Sequence, residues 1–250
     1  MLPVTEPDYL AWLPAAPGEK PLVVVFTGAG VSAESGIRTF RDHDGLWENH
    51  RVEDVAHINA WRRNPELVLR FYNERRAQLG TVQPNPAHEA IAALQPHANV
   101  IVITQNVDDL HERAGSQRVL HLHGRLNWVR STADESLLFD VGAEPIRLGD
   151  KCPKGSQLRP HIVWFGEEVP NYNYAAVIAR QADAALVIGT SMVVTPAAWL
   201  VEFIPQTAPL WYINPDDSGA GDHPELHIVA EKAGTGVPKA IKNLRERLKI

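Results

Sequence analysis

Gln105, Asn106 and Asp108 stand within one short stretch, TQNVDDLHERAG, and His121 and His123 follow in VLHLHG. Two amides and a carboxylate clustered in this way can bind a primary amide or sugar hydroxyls, and they can equally cap the short helix that Gly115 closes. Histidines two apart on a strand project from one face, a spacing that also suits a pair of metal ligands. His123, directly before a glycine at a strand end, is the better placed general base, because an imidazole titrates near neutrality; His121 is then a packed or solvated side chain. A third group lies in FTGAGVSAESGIRTFRD, where Gly28 and Gly30 follow an apolar run. Such a pair lets the backbone turn tightly and approach a pyrophosphate with its N–H groups and a helix start, and it serves as often as a plain turn. The third glycine of the dinucleotide fingerprint is missing at its spacing. Ser32, Ser35, Arg38 and Arg41, around the apolar Phe40, add hydroxyls and guanidinium groups suited to phosphate and ribose.

These groups need a scaffold. Four apolar runs, LVVVFTGAG, NVIVITQNVDD, AALVIGTSM and PLWYINPDD, each pass abruptly from β-branched residues into small or polar ones, which is the pattern of buried parallel strands with polar carboxyl ends. Helix-period segments alternate with them: NPAHEAIAALQ, YAAVIARQADA and TPAAWLVEF. The alternation predicts an α/β fold with a doubly wound parallel sheet, whose ligands sit beyond the carboxyl ends of the strands. The three chemical groups all fall there.

Composition sets the outer bounds. The chain has 250 residues, 44% hydrophobic and 22% charged, enough for one large domain or a domain with a lobe. No apolar run reaches the roughly 20 residues of a membrane span, and the start lacks the features of a signal peptide, so a cytoplasmic protein without a membrane partner is expected. A net charge of -6 argues against a broad nucleic-acid footprint. Cys152 is the single cysteine, which excludes an internal disulfide and a structural zinc site built on several thiolates. Its neighbours Asp150 and His161 do not complete a ligand set, so no bound zinc is expected. Residues 1–19, rich in Pro and Ala, read as a loose arm.

Taken together, GAGVSAESGIRTFR, TQNVD, HLHG, HIVWFGE and GTS occur in the order and spacing found in the sirtuins, and the chain resembles that family of NAD-dependent protein lysine deacylases, its bacterial CobB-type members in particular, from about residue 20 onward. The resemblance implies a Rossmann-like NAD domain (about 20–42, 84–125 and 160–250) and a smaller lobe (about 43–83 and 126–159) formed by a helical insertion and, here, a zinc-free remnant of the zinc module. Where relatives carry two cysteine pairs, this chain has VRSTAD and DKCPKGS. Segment 126–159 is then expected to hold by packing of Leu126, Trp128, Leu137, Leu138, Phe139 and Ile146. The resemblance makes His123 the catalytic base, with Asn106 positioning water and ribose, Asp108 holding the nicotinamide amide and Gln105 beside them. Gly28, Ala29, Gly30 and Ser32 become the phosphate loop, with Phe40 and Arg41 as its cover. Gly189, Thr190, Ser191, Asn214, Pro215, Asp216 and Ala233 fall on the adenosine side. Val163, Trp164 and Phe165 line the acyl-lysine channel, with backbone groups open to an extended substrate peptide.

The implied reaction begins when the acyl-lysine carbonyl oxygen attacks C1′ of the nicotinamide ribose as nicotinamide leaves. His123 then deprotonates a ribose hydroxyl, which attacks the new imidate carbon, and water releases lysine and an O-acyl-ADP-ribose. In NPELVLRFYNERRAQL, a helix with Leu67, Val68 and Phe71 on one face, Tyr72 and Arg75 match the Tyr-x-x-Arg pair of sirtuins that remove succinyl and malonyl groups. A phenol and a guanidinium can hold a buried carboxylate that an apolar pocket rejects, and Ala56 leaves room for it. Two other classes fit part of this pattern, an NAD-binding sensor module and an NAD glycohydrolase or ADP-ribosyltransferase; the set Asn106, Asp108 and His123 favours the deacylase.

Overall fold

The computed structural model describes residues 1–15, 20–37, 46–47, 50–190, 197–216 and 219–250. In chain order these form β1 (Leu2–Val4), a 3₁₀ turn at Tyr9–Trp12, β2 (Leu22–Thr27), β3 (Leu46–Trp47), β4 (His50–Arg51), α1 (Val52–Val55), α2 (Ile58–Arg63), α3 (Pro65–Leu79), α4 (Pro86–Ala93), β5 (Asn99–Thr104) and α5 (Leu110–Arg113). There follow β6 (Val119–His121), β7 (Gly124–Ser131), β8 (Leu138–Asp140), β9 (Leu158–Ile162), α6 (Tyr172–Ala179), β10 (Ala184–Ile188), a 3₁₀ segment at Ala197–Phe203, β11 (Leu210–Ile213), β12 (Leu226–Val229) and α7 (Ala233–Leu248).

The four apolar runs become β2, β5, β10 and β11, the centre of a parallel sheet ordered β12-β11-β10-β2-β5-β6. Alternate side chains feed two cores: Leu22, Val24 and Phe26 face α6 and the 3₁₀ segment, and Val23 and Val25 face α4 and α7. Burial on both faces is what the uninterrupted β-branched pattern requires. From β2 the chain winds toward β6, then returns through β10 toward β12, so a crevice opens at the carboxyl ends of β2 and β10 where the winding reverses. Among the described residues no helix is long and apolar enough to cross a membrane.

A smaller lobe is made of α1–α3 and the antiparallel sheet β1-β8-β7-β9. α3 starts where Asn64 Oδ1 accepts the Leu67 N–H at 3.1 Å, with Pro65 in the first turn, and it buries Val68, Leu69, Phe71, Tyr72, Arg75, Arg76 and Leu79. Segment 126–158 is held by a core of Leu69, Val129, Phe139, Ile146, Cys152 and Leu158. Of the residues expected to hold it, Phe139 and Ile146 sit in this core and Leu137 packs on it; Leu126 turns instead into the neighbouring cluster with Tyr72 and Trp164. Polar staples from α3 add to the packing. Asn73 donates to the Ile146 carbonyl at 2.8 Å and accepts from its N–H at 3.0 Å, while Arg76 donates to the carbonyls of Leu126 and Glu144.

The start of the chain departs from the expected loose arm. β1 pairs with β8 in register from Leu2 to Val4, and Tyr9 is fully buried in the large domain's core, edge-on to Trp12. Tyr9 donates its hydroxyl to Glu6, whose other oxygen meets His161 Nε2 at 3.0 Å. A Pro-rich composition describes a segment without helix or strand of its own, but it does not register that one aromatic ring has a socket elsewhere.

Candidate active site

Two threonines end the central strands at the crevice floor. Thr27 donates its hydroxyl to Thr104 Oγ1 at 2.8 Å, and that oxygen also takes the Asn106 N–H at 3.0 Å. His111 Nε2 lies 3.0 Å from Thr27 Oγ1, whose own proton is committed, so the imidazole is the donor. Above them, Ser32 Oγ accepts from Asn106 Nδ2 at 3.1 Å and donates to Asp108 Oδ2 at 3.0 Å. His88 Nδ1 accepts the Asn85 N–H, which leaves Nε2 as the protonated nitrogen, 3.5 Å from Ser32 Oγ. Burial holds His88 down to about 4 and His111 to about 3, so both are neutral at physiological pH. Burial pushes Asp108 up, opposed by the Leu110 N–H and Ser32. Asn106 and Asp108 are thus fixed from below by a dry hydrogen-bonded network, as well as the latter capping α5 at Leu110.

The two histidines of HLHG part company. His121 is buried, with Nδ1 2.9 Å from the Asn106 carbonyl and Nε2 2.8 Å from Glu112, which also binds Arg125 at 2.7 Å. It holds the backbone of the site residue Asn106. His123 faces the crevice: its Nδ1 donates to the Gln105 carbonyl at 3.0 Å, so the tautomer leaves Nε2 as an acceptor, and burial keeps the imidazole below its ordinary range. A base needs that state. The glycine that follows is obligatory, because Gly124 has φ +83° and a Cβ there would stand 2.0 Å from the His161 carbonyl oxygen.

Gly28 and Gly30 serve close packing rather than an exposed anion cradle. Their N–H groups donate to the carbonyls of Ile188 (3.0 Å) and Gly189 (2.8 Å), and a Cβ on Gly30 would lie 2.7 Å from Gly189 Cα. The loops after β2 and β10 are thereby zipped together, with Ala29 and Ser32 just beyond. Thr190 meets Gln105 Nε2 at 3.3 Å, and Asn214 donates to Tyr212, whose hydroxyl reaches the Thr190 carbonyl. Pro215, Asp216 and Ala233, the last at the start of α7, complete this rim along the ends of β10, β11 and β12. Arg38, Phe40, Arg41 and Ser191 lie outside the described residues.

Tyr72, Trp164 and Ala56 share one buried cluster in the lobe, and Arg75 is buried one turn along α3 from Tyr72, its guanidinium carbon 5.8 Å from the Phe71 ring centroid. Trp164 Nε1 donates to the Tyr72 hydroxyl at 3.0 Å. Burial raises Tyr72 far above the ordinary phenol, against the pull of Trp164, Arg75 and Arg159, so it is a neutral donor. Val163 is half-buried and Phe165 is 45% exposed. The expected opening of this segment to a peptide strand is narrowed: the N–H groups of Val163, Trp164 and Phe165 donate to His123 O, Glu167 and Ala56 O, and Phe165 O accepts from Ile58.

Sequence reasoning passed over Thr27, Thr104, His88, His111 and the Arg159–Glu167 pair. The capping position of His88, three after Asn85, carried a local signal; Thr27, Thr104 and His111 meet across wide separations in the chain, and Arg159 and Glu167, eight apart, match no regular helix or strand spacing. Among the described residues no three His, Cys, Asp or Glu side chains gather as a metal site.

A family model described as the Sir2 family matches residues 28–196. A protein of Helicobacter pylori named NAD-dependent protein deacylase is 50% identical over 211 residues, 84% of this chain and 92% of that protein, and one of the same name from Bacteroides thetaiotaomicron is 46% identical over 220 residues, 86% and 94% of the two chains. A mutant Sir2 homologue in complex with ADP-ribose superposes with TM-score 0.82 at 42% identity, over 93% of this chain and 95% of that one. A Sir2 homologue in complex with NAD gives TM-score 0.79 at 42% identity, over 92% and 91%.

Proposed function

We propose, from the premise that the chain belongs to the Sir2 family and is an NAD-dependent protein deacylase, that it removes succinyl and malonyl groups from lysine side chains as well as acetyl groups. The observation that carries this reading is the burial of Tyr72 and Arg75 on neighbouring positions of α3, Tyr72 in the apolar cluster that also contains Ala56 and Trp164. A guanidinium and a neutral phenol inside an apolar wall offer an anionic acyl end charge-assisted hydrogen bonds where an uncharged pocket would leave the carboxylate desolvated.

The donor set at the crevice fits NAD: an amide, a carboxylate and an imidazole converge beside a glycine-lined rim, and their undersides are already satisfied by Ser32, Thr104 and Gln105 O. NAD supplies the nicotinamide leaving group and the ribose that takes up the acyl chain. This chain's part is positional and acid–base. His123 accepts a hydroxyl proton at Nε2, its tautomer set by the Gln105 carbonyl. Asn106, its Nδ2 held by Ser32, orients the ribose and the attacking water, and Asp108 holds the nicotinamide amide. Val163 and Trp164 line the acyl-lysine channel and keep water from it.

The test is mass spectrometry of one lysine peptide, succinylated or acetylated, with and without NAD, after exhaustive chelation. NAD-dependent loss of succinate with an O-succinyl-ADP-ribose product is expected, and Tyr72→Phe with Arg75→Met should remove succinyl activity while acetyl activity falls far less. Equal loss of both activities refutes the acidic-acyl reading. NAD hydrolysis that needs no acyl peptide would replace it with a glycohydrolase.

A further inference from the structure

Behind the acyl pocket lies a second buried charge cluster that the reaction does not use. Arg159 grips Glu167 with both terminal nitrogens, at 2.6 and 2.9 Å, and donates to the Ile162 carbonyl at 2.9 Å. Arg130 approaches the same carboxylate at 3.4 Å, and Glu135, at 3.8 Å from Arg130, is on the surface. Two buried guanidinium groups therefore share one half-buried carboxylate, and the cluster keeps positive character. Its geometry is specific. The Arg159 guanidinium carbon stands 3.6 Å from the centroid of the Trp164 ring, and Glu167, which holds that guanidinium, also accepts the Trp164 backbone N–H at 2.8 Å. Backbone and ring of Trp164 are fixed by one ion pair. The Trp61 ring centroid lies 5.6 Å from that of Trp164.

We propose that Arg159, Trp164 and Tyr72 form a polarised donor chain aimed at the carboxylate of an acidic acyl group, which makes Trp164 and Arg159 specificity-positioning residues of the pocket. The proposal rests on the acidic-acyl reading above. Indole nitrogen only donates, and here it donates to the Tyr72 oxygen, so the hydrogen of Tyr72 is turned away from Trp164 toward another acceptor. A cation against the indole face draws electron density from the ring and makes its N–H more positive. Each donor in a row sharpens the next, and the end of the row is worth most against an ion. A succinyl carboxylate is such an ion; an acetyl methyl presents nothing for the hydroxyl to bind. The chain therefore acts on the choice of acyl group and not on the acyl transfer itself.

The test is kcat/KM of the full-length protein for succinyl- and acetyl-lysine versions of one peptide, read as their ratio, in wild type, Tyr72→Phe, Trp164→Phe and the double variant. Trp164→Phe keeps an aromatic face for Arg159 and removes the N–H. It should lower the succinyl-to-acetyl ratio about fivefold to tenfold, the worth of one hydrogen bond, mainly through the succinyl KM. In the Tyr72→Phe background it should lower the ratio no further. Arg159→Lys, which keeps the charge and loses the planar stack, should lower the ratio in the same direction. In the wild-type protein, the indole N–H resonance of Trp164 should move downfield with succinyl peptide and not with acetyl peptide. A ratio unchanged by Trp164→Phe while Tyr72→Phe lowers it overturns the donor chain alone, as does an equal fall in both backgrounds. A ratio unchanged by Tyr72→Phe overturns the acidic-acyl reading and the chain with it.

Discussion

Leu158→Ala tests what holds the small lobe. Leu158 is 1% exposed at the start of β9, packed among Leu69, Val129, Phe139, Ile146 and Cys152. Truncation removes buried carbon and leaves a cavity walled by β7, β8 and α3, elements that the Asn73 and Arg76 hydrogen bonds keep from collapsing inward. A loss of about 3 kcal/mol is expected for such a site. At about 2–4 °C per kcal/mol for a chain of this size, Tm should fall by about 6–12 °C. The assay is thermal unfolding of wild type and variant, each before and after chelation, with chelation leaving both curves in place. A loss under about 1 kcal/mol, or a wild-type Tm that drops on chelation as far as the substitution lowers it, refutes the argument that apolar packing holds segment 126–158.

Four further outcomes follow from the site. His123→Ala should abolish removal of every acyl group. In the wild type, because burial holds that imidazole below its ordinary value of about 6.5, the acid limb of kcat/KM should fall off below that value, and an inflection above it contradicts the desolvated placement of the imidazole. His88 and His111, at about 4 and 3 when folded, stay neutral while the unfolded chain takes up protons below about 6.5; stability is therefore complete above that pH and declines toward 4, by about 2 kcal/mol for each histidine at pH 5, which denaturant titrations at pH 7 and 5 would measure. Gly30→Ala sets a Cβ against Gly189 backbone that cannot rotate away, and the parted loops should raise the KM for NAD at least about tenfold and lower Tm; an unchanged KM rejects the zipped-loop account.

How much of this could be read beforehand depended on whether the partners of a residue are near it in the chain. β2, β5, β10 and β11 were legible because a strand buried on both faces has no polar residue to interrupt it, and their polar ends marked the crevice. β12 escaped notice, being an edge strand with His227 and Ile228 exposed. The glycines announced a close approach, but only the fold could say that the Ile188 and Gly189 carbonyls consume their amides. The floor under Asn106 joins Thr27, Thr104 and His111, and the clamp on Trp164 joins Arg130, Arg159 and Glu167. Neither leaves a spacing that a single sequence displays. Tyr72 and Arg75 were visible through the family pattern and not through their chemistry, since a Tyr and an Arg on a helix rich in charge read by default as surface residues.

The pairing of Leu2 with Asp140 has a consequence in time. During synthesis the first strand emerges with no template, and its partner β8 follows only after the whole of the helical insertion and the first half of the central sheet. Until then the opening residues wait, while Tyr9 has to find a core finished by β10 and β11, which come later still. Closing so wide a loop is entropically costly and yields its contacts last. The segment is thus a latch set after the two lobes have met, and refolding experiments should see Tyr9 become protected in the slowest phase, after the parallel sheet has formed.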